Sequence, residues 1–178
     1  MPVTETSAGI KVRDARPEDA SEIARIFNQG VQDQLATFEN TFARPEDRFL
    51  WIVARPTKYP VMVAQLKHTL VGWASLSPYS PKSCYSGIAE LSIYIDRNYR
   101  SHGVGQLLMA ALQQAAKDHG FYKLIGRLMA DNDGSRKLCR STGWREVGIY
   151  NKHAKLGGKW HDLVLVEYPI PENMKKAR

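Results

Sequence analysis

The chain has 178 residues, 43% hydrophobic and 24% charged, which suits one soluble globular domain and leaves little room for two. No apolar run approaches membrane-spanning length, and Met1 to Gly9 lack the apolar centre of a secretory signal, so a cytoplasmic protein is expected. The net charge of +7 favours anionic partners, yet Lys and Arg are scattered rather than interleaved with aromatics, which argues against a nucleic-acid surface.

Residues 1–9 read as a flexible N-terminus, 10–170 as a single domain and 171–178 as a flexible basic tail. Ile10 to Arg13 alternates as a short strand. Arg16-Pro17-Glu18-Asp19 opens a helix whose apolar face is Ala20, Ile23, Ala24, Phe27 and Val31. Pro45-Glu46-Asp47 starts a second helix, ending before Pro56. Tyr59 to Gln65 and Leu70 to Ser77 read as paired strands, Pro78 to Ser86 as a loop and Ile88 to Asp96 as a further strand. A basic, Gly-containing turn, Arg100-Ser101-His102-Gly103-Val104-Gly105, then runs into a helix with Val104, Leu107, Leu108, Ala111, Leu112 and Ala115 on one face. Gly120 stands where a C-terminal cap belongs. Phe121 to Met129 is a strand and Asn132 to Thr142 a short helix. Trp144 to Lys155 and Lys159 to Tyr168 form a closing hairpin around Gly157-Gly158.

The strand–turn–helix around residues 91–105 carries the chemistry. A helix N-terminus presents unpaired N–H groups and partial positive charge, and glycines in the turn let a phosphate approach the backbone. The spacing is neither a Gly-x-x-x-x-Gly-Lys-Ser/Thr phosphate loop nor a Gly-x-Gly-x-x-Gly dinucleotide site. Upstream, Glu90 interrupts an apolar run, and alternation puts Glu90, Ser92 and Tyr94 on one face of the strand. Partial burial is expected to raise its pKa and make it a proton acceptor; the alternative is an edge-strand glutamate facing solvent. Asn132 suits a helix N-cap. Cys84 and Cys139 suggest no disulfide framework, and Cys139 reads as core rather than nucleophile. The five histidines show no metal-ligand spacing, and no metal is expected.

Ile93-Tyr94-Ile95, the Arg100–Gly105 turn and Asp131-Asn132-Asp133-Gly134-Ser135 resemble the GNAT superfamily of acetyl-CoA-dependent N-acetyltransferases. Ala36-Thr37-Phe38, Tyr59-Pro60-Val61-Met62-Val63-Ala64, Ala89-Glu90-Leu91-Ser92 and Gly158-Lys159-Trp160-His161-Asp162-Leu163 are most similar to its phosphinothricin and methionine sulfoximine acetyltransferases. The resemblance implies an α/β GNAT fold, a mixed, mostly antiparallel twisted sheet flanked by helices. It further implies acetyl-CoA as co-substrate, with pantetheine along Ile93, Tyr94 and Ile95 and the pyrophosphate on N–H groups of Arg100, Ser101, His102, Gly103, Val104 and Gly105. Asn132 and Ser135 would lie at the pantetheine arm, Glu90 would be the base, and a backbone N–H near Ile93 or Tyr94 would serve the oxyanion. Thr37, Phe38, Trp73, Tyr79, Lys82 and Tyr85 would form the substrate pocket, at the interface of a homodimer, although single aromatics are more often core. Two departures stand out. Related proteins carry a histidine where Cys139 stands, which leaves Tyr94, Tyr150 or solvent to protonate the thiolate. They also place arginines in the loop where only Lys82 remains, and a lysine lacks the bidentate fork. The expected reaction is direct transfer of acetyl to the α-amine of a small amino-acid-like molecule, with no membrane or nucleic-acid partner. Acetylation of a protein N-terminus, or non-catalytic acetyl-CoA binding, are the alternatives; a cationic aminoglycoside suits a basic chain less well.

Overall fold

Alternating apolar runs build a single twisted sheet whose strands come in chain order until the last pair. The computed structural model describes residues 4, 5 and 9–175. Its strands are β1 (Thr4–Glu5), β2 (Ile10–Asp14), β3 (Val61–Leu66), β4 (Thr69–Pro78), β5 (Ile88–Ile95), β6 (Lys123–Met129), β7 (Arg145–Leu156) and β8 (Lys159–Pro169), and its helices are α1 (Ala20–Asp33), α2 (Pro45–Val53), α3 (Val104–Asp118), α4 (Asp133–Ser141) and α5 (Pro171–Met174). The strand order is β1-β2-β3-β4-β5-β6-β8-β7, and only β5 and β6 run parallel. Their crossover is α3, as a parallel connection requires.

Both faces of the sheet are covered. On one, Ala74, Leu76, Ala89 and Leu91 pack against Val104, Leu108, Met109 and Leu112 of α3. On the other, Val61, Val63 and Trp73 meet Ile23, Ile26 and Phe27 of α1, with Trp51 of α2 alongside. Among the described residues no helix is long and apolar enough to cross a membrane.

The ends differ from the sequence reading. Within the stretch expected to be flexible, Thr4 and Glu5 pair with Val12 and Lys11, while residues 1–3 and 6–8 lie outside the described residues. The start of the expected tail is anchored: Asn173 of α5 is buried, and its amide donates to the carbonyls of Lys117 (2.7 Å) and Phe121 (2.8 Å), closing the end of α3. Residues 176–178 are outside the described residues. The first helix begins with a 3-10 turn, Pro17–Asp19, because the Asp19 carboxylate bonds back to the Arg16 N–H.

Candidate active site

The site exists because β5 and β6 part company. Their pairing ends at Glu90 and Ile125, after which β6 continues with β8 and β5 with β4 alone. The Asp96 N–H donates to Val71 and the Leu76 N–H to Pro60. Even-numbered residues of β5 therefore bond to β4, and beyond the last bridge to β6 Ile93 and Ile95 turn their N–H and C=O groups into the gap. This register selects Ile93 over Tyr94 as the free N–H beside the reacting centre.

Two cavities meet across this gap. One, about 550 Å³, runs from Ile93 and Ile95 past Tyr99, Arg100 and Ser101 to Gly103 and Gly105. It ends at the N-terminus of α3, where Val104, Gly105 and Gln106 lack intrahelical acceptors. Gly105 lies so close to Leu138 of α4 that a Cβ there would come within 2.9 Å of Leu138 Cδ2. A free strand edge for amides and a helix N-terminus for phosphate fit coenzyme A. Arg100 and Arg97 both grip Asp33 at 2.7 Å, which ties the turn to the end of α1.

The second cavity, about 870 Å³, is lined by Thr37, Phe38, Arg48, Trp51, Trp73, Ser75, Ser77, Glu90, Arg127 and His153. Both cavities share Ala36, Ile93, Tyr94, Asn132 and Ser135. Glu90 is the carboxylate at the point where the strands diverge, and its side chain is 20% exposed. Arg127 of β6 donates Nε to Glu90 Oε1 (2.6 Å) and a terminal nitrogen to Glu90 Oε2 (2.8 Å). Arg127 was missed, although it breaks the apolar run of its strand just as Glu90 does.

Tyr94 stacks on Trp73 (ring centroids 4.7 Å apart) and meets the edge of Phe27 (5.2 Å). Burial raises its phenol above the ordinary value, against the opposing influence of Thr37 and Arg48, so it stays protonated at neutral pH. It lines both cavities, whereas Tyr150 is half exposed and lines neither.

Several expected residues stand elsewhere. Val104 is buried under the sheet, so only its N–H is available to a ligand. The His102 ring turns back onto its own turn, Nδ1 lying 2.7 Å from the Arg100 carbonyl oxygen, and lines neither of these two cavities. Tyr79 and Tyr85 pack on each other (5.4 Å) on the surface, and Lys82 is exposed between them, so this loop does not line the acceptor cavity of its own chain. Asn132 is the α4 N-cap, its Oδ1 accepting the Ser135 N–H (3.0 Å), and its Nδ2 donates to the Leu35 carbonyl (2.9 Å). Both ends of its amide are thus engaged, the oxygen capping α4 and the nitrogen tying the loop at Leu35 to it. Cys139 is buried, which pushes its thiol up to about 11. Among the described residues no three His, Cys, Asp or Glu side chains converge as metal ligands.

The profile of the acetyltransferase (GNAT) family matches residues 26–144. An L-methionine sulfoximine/L-methionine sulfone acetyltransferase of Pseudomonas paraeruginosa is 28% identical over 158 residues, 88% of this chain and 92% of that protein. A ribosomal-protein-alanine N-acetyltransferase from Brucella melitensis superposes with a TM-score of 0.85 at 31% identity, covering 89% of this chain and 98% of that one. A phosphinothricin acetyltransferase from Sinorhizobium meliloti, solved with acetyl-CoA, superposes with a TM-score of 0.83 at 26% identity, covering 96% and 89%. The parted strands, the glycine turn at α3 and these likenesses agree: the chain belongs to the acetyltransferase (GNAT) family and is an acetyl-CoA-dependent N-acetyltransferase.

Proposed function

We propose that this enzyme moves acetyl from acetyl-CoA directly to the α-amine of a small amino-acid-like acceptor, of the phosphinothricin, methionine sulfoximine or methionine sulfone type, within a ternary complex. The observation that carries this reading is the meeting of two cavities at Ile93 and Tyr94, with Glu90 on the acceptor side. An aliphatic ammonium loses its proton only near pKa 10, so the nucleophile needs a base. Glu90 accepts that proton, directly or through water, while Arg127 fixes where its carboxylate stands. The Ile93 N–H faces the gap, where it stabilises negative charge growing on the thioester oxygen. Tyr94 lines both cavities as a protonated phenol and is the preferred donor to the departing thiolate. Two copies pair through the β7–β8 hairpin, bringing each site close to the interface.

A second reading is favoured by one comparison: the Brucella melitensis neighbour is a ribosomal-protein-alanine N-acetyltransferase. An aromatic-walled cavity suits a small acceptor better than a chain terminus. Thiol release from acetyl-CoA with a panel of amino acids, their sulfone and sulfoximine analogues, phosphinothricin and Ala-initiated peptides separates the two. A small amino acid is expected to turn over, and Glu90→Gln to slow it by roughly 10²-fold or more. Turnover of the peptides alone would put the second reading in its place. An unchanged rate in Glu90→Gln would remove the base.

A further inference from the structure

In the acceptor cavity, the guanidinium of Arg48 bonds to neither carboxylate nor carbonyl among the described residues. It projects from α2 into an aromatic cage, 4.3 Å from the Phe27 ring centroid, 5.2 Å from Trp51 and 5.7 Å from Trp73. Its Nε is buried without a hydrogen-bond partner among the described residues, and so is Nε1 of Trp73. Both orphan atoms in this cluster are donors. Of the nearby acids, Asp47 is engaged by Arg44 at 2.8 Å, and Glu39 acts on Arg48 only at longer range.

A second cation reinforces the first. Arg55 lies 4.4 Å over Trp51 and is close enough to Arg48 for the two charges to repel. Arg55 is satisfied structurally, by the carbonyls of Tyr59 and Leu76 and by Ser77 Oγ, whereas Arg48 is not. A half-buried guanidinium without an anion is disfavoured, and cation–π contacts offset only part of that cost. Glu90 provides negative charge in the same cavity. The cavity thus holds a base for an amine and, separately, unmatched donors for an anion.

We propose that Arg48 binds the α-carboxylate of the acceptor and determines its specificity for free amino acids. The proposal rests on the amino-acid reading above and names the group that supplies anion recognition in place of the loop residues around Lys82. Guanidinium–carboxylate bonds are charge-assisted and directional, and the aromatic rings around Arg48 fix where its guanidinium stands.

The test reads binding rather than turnover. Protein saturated with CoA is titrated with methionine sulfone and with its neutral α-carboxamide, by calorimetry and by tryptophan emission, since Trp51 and Trp73 wall the cavity. The wild type is expected to prefer the acid by between about 10-fold and 100-fold, the worth of a charged hydrogen bond. Arg48→Met should abolish the preference and Arg48→Lys retain part of it, both with unchanged affinity for CoA, which shows that the fold is intact. A preference that survives in Arg48→Met, or a wild type with none, overturns the proposal. If Arg48→Met weakens phosphinothricin, with its second anion, but not methionine sulfone, the assignment to the α-carboxylate is wrong. An acid preference that depends on Arg48, in a protein that acetylates none of these amines, sustains the subsite while overturning the acceptor class proposed above.

Discussion

Gly103 does two jobs that one residue type allows. It holds φ at +80° as the N-cap of α3, a conformation that costs an L-residue about 1–2 kcal/mol, and it leaves the first N–H groups of the helix open toward the 550 Å³ cavity, where a phosphate is proposed to sit. Gly120, at the other end of the same helix, has φ +78° and nothing within 4 Å of an added Cβ, but it lies far from the cavities. Alanine at either position should lower the urea-unfolding free energy by about 1–2 kcal/mol. Only Gly103→Ala should also raise KM for acetyl-CoA, by tilting the N–H groups. Equal KM values in the two variants would mean that the turn does not hold the pyrophosphate. At the same scale, burial pushes the Cys139 thiol up to about 11 and its side chain packs in the core, a poor setting for a thiolate nucleophile. An acyl-cysteine has no support here, in keeping with direct transfer.

Elements formed by local pattern were legible. The strand, turn and helix from 88 to 118 follow from β-branched alternation, glycine placement and a 3.6-residue stripe, each a short-range effect. Glu90 stood out because a charge in an apolar strand needs a reason, and Arg127 carries the same mark. Arg48 carries none, since its cage comes from α1, α2 and β4 and exists only once they pack. Nor does any local signal say where β5 and β6 stop pairing, or that the 79–85 loop folds outward. The β7–β8 hairpin was legible as strands but not in its exposure. Edge strand β7 leaves Val147, Ile149 and Tyr150 about half exposed, and Trp160 of β8 is 59% exposed. Its register breaks at Glu146/Gly148 and Tyr150/Ala154, which discourages extension of the sheet edge to edge. Apolar side chains on an outer hairpin suit a covered face, and the proposed dimer covers it. Light scattering should report twice the 20.1 kDa chain mass, and Ile149→Glu with Trp160→Glu should return it to the monomer. A monomeric wild type would remove the dimer from the proposal.

Across the whole molecule, the two cores on opposite faces of the sheet are joined where the cofactor turn begins, and Asp96 makes the joint. Its buried carboxylate accepts from Arg25 of α1, from the Asn98 N–H (2.9 Å) and from Gln29 (3.4 Å), while the Arg97 N–H donates to Gln29 (2.9 Å). Burial alone would push this carboxyl up, but the bonds from Arg25 and Asn98 outweigh it and hold it below the ordinary aspartate value of 3.8. Asp19 follows the same pattern, burial outweighed by Arg13 and the Arg16 N–H, and Glu167 is lowered chiefly by Lys123. A carboxylate with a depressed folded-state pKa contributes stability that is complete above its unfolded value and is lost as pH falls through the folded value. The urea-unfolding free energy should therefore be nearly level from pH 7 to about 5 and fall steeply below about 4. Asp96→Asn keeps the shape but loses the charge, so it should cost about 2 kcal/mol at pH 7 and show a shallower acid fall. The two curves should converge as pH falls through the lowered folded-state value of Asp96, where the wild-type carboxylate also takes up its proton. Curves that stay parallel would place the acid lability in other carboxylates and leave Asp96 a neutral hydrogen-bond acceptor in effect, no tighter a link between α1 and the cofactor turn than an asparagine would be.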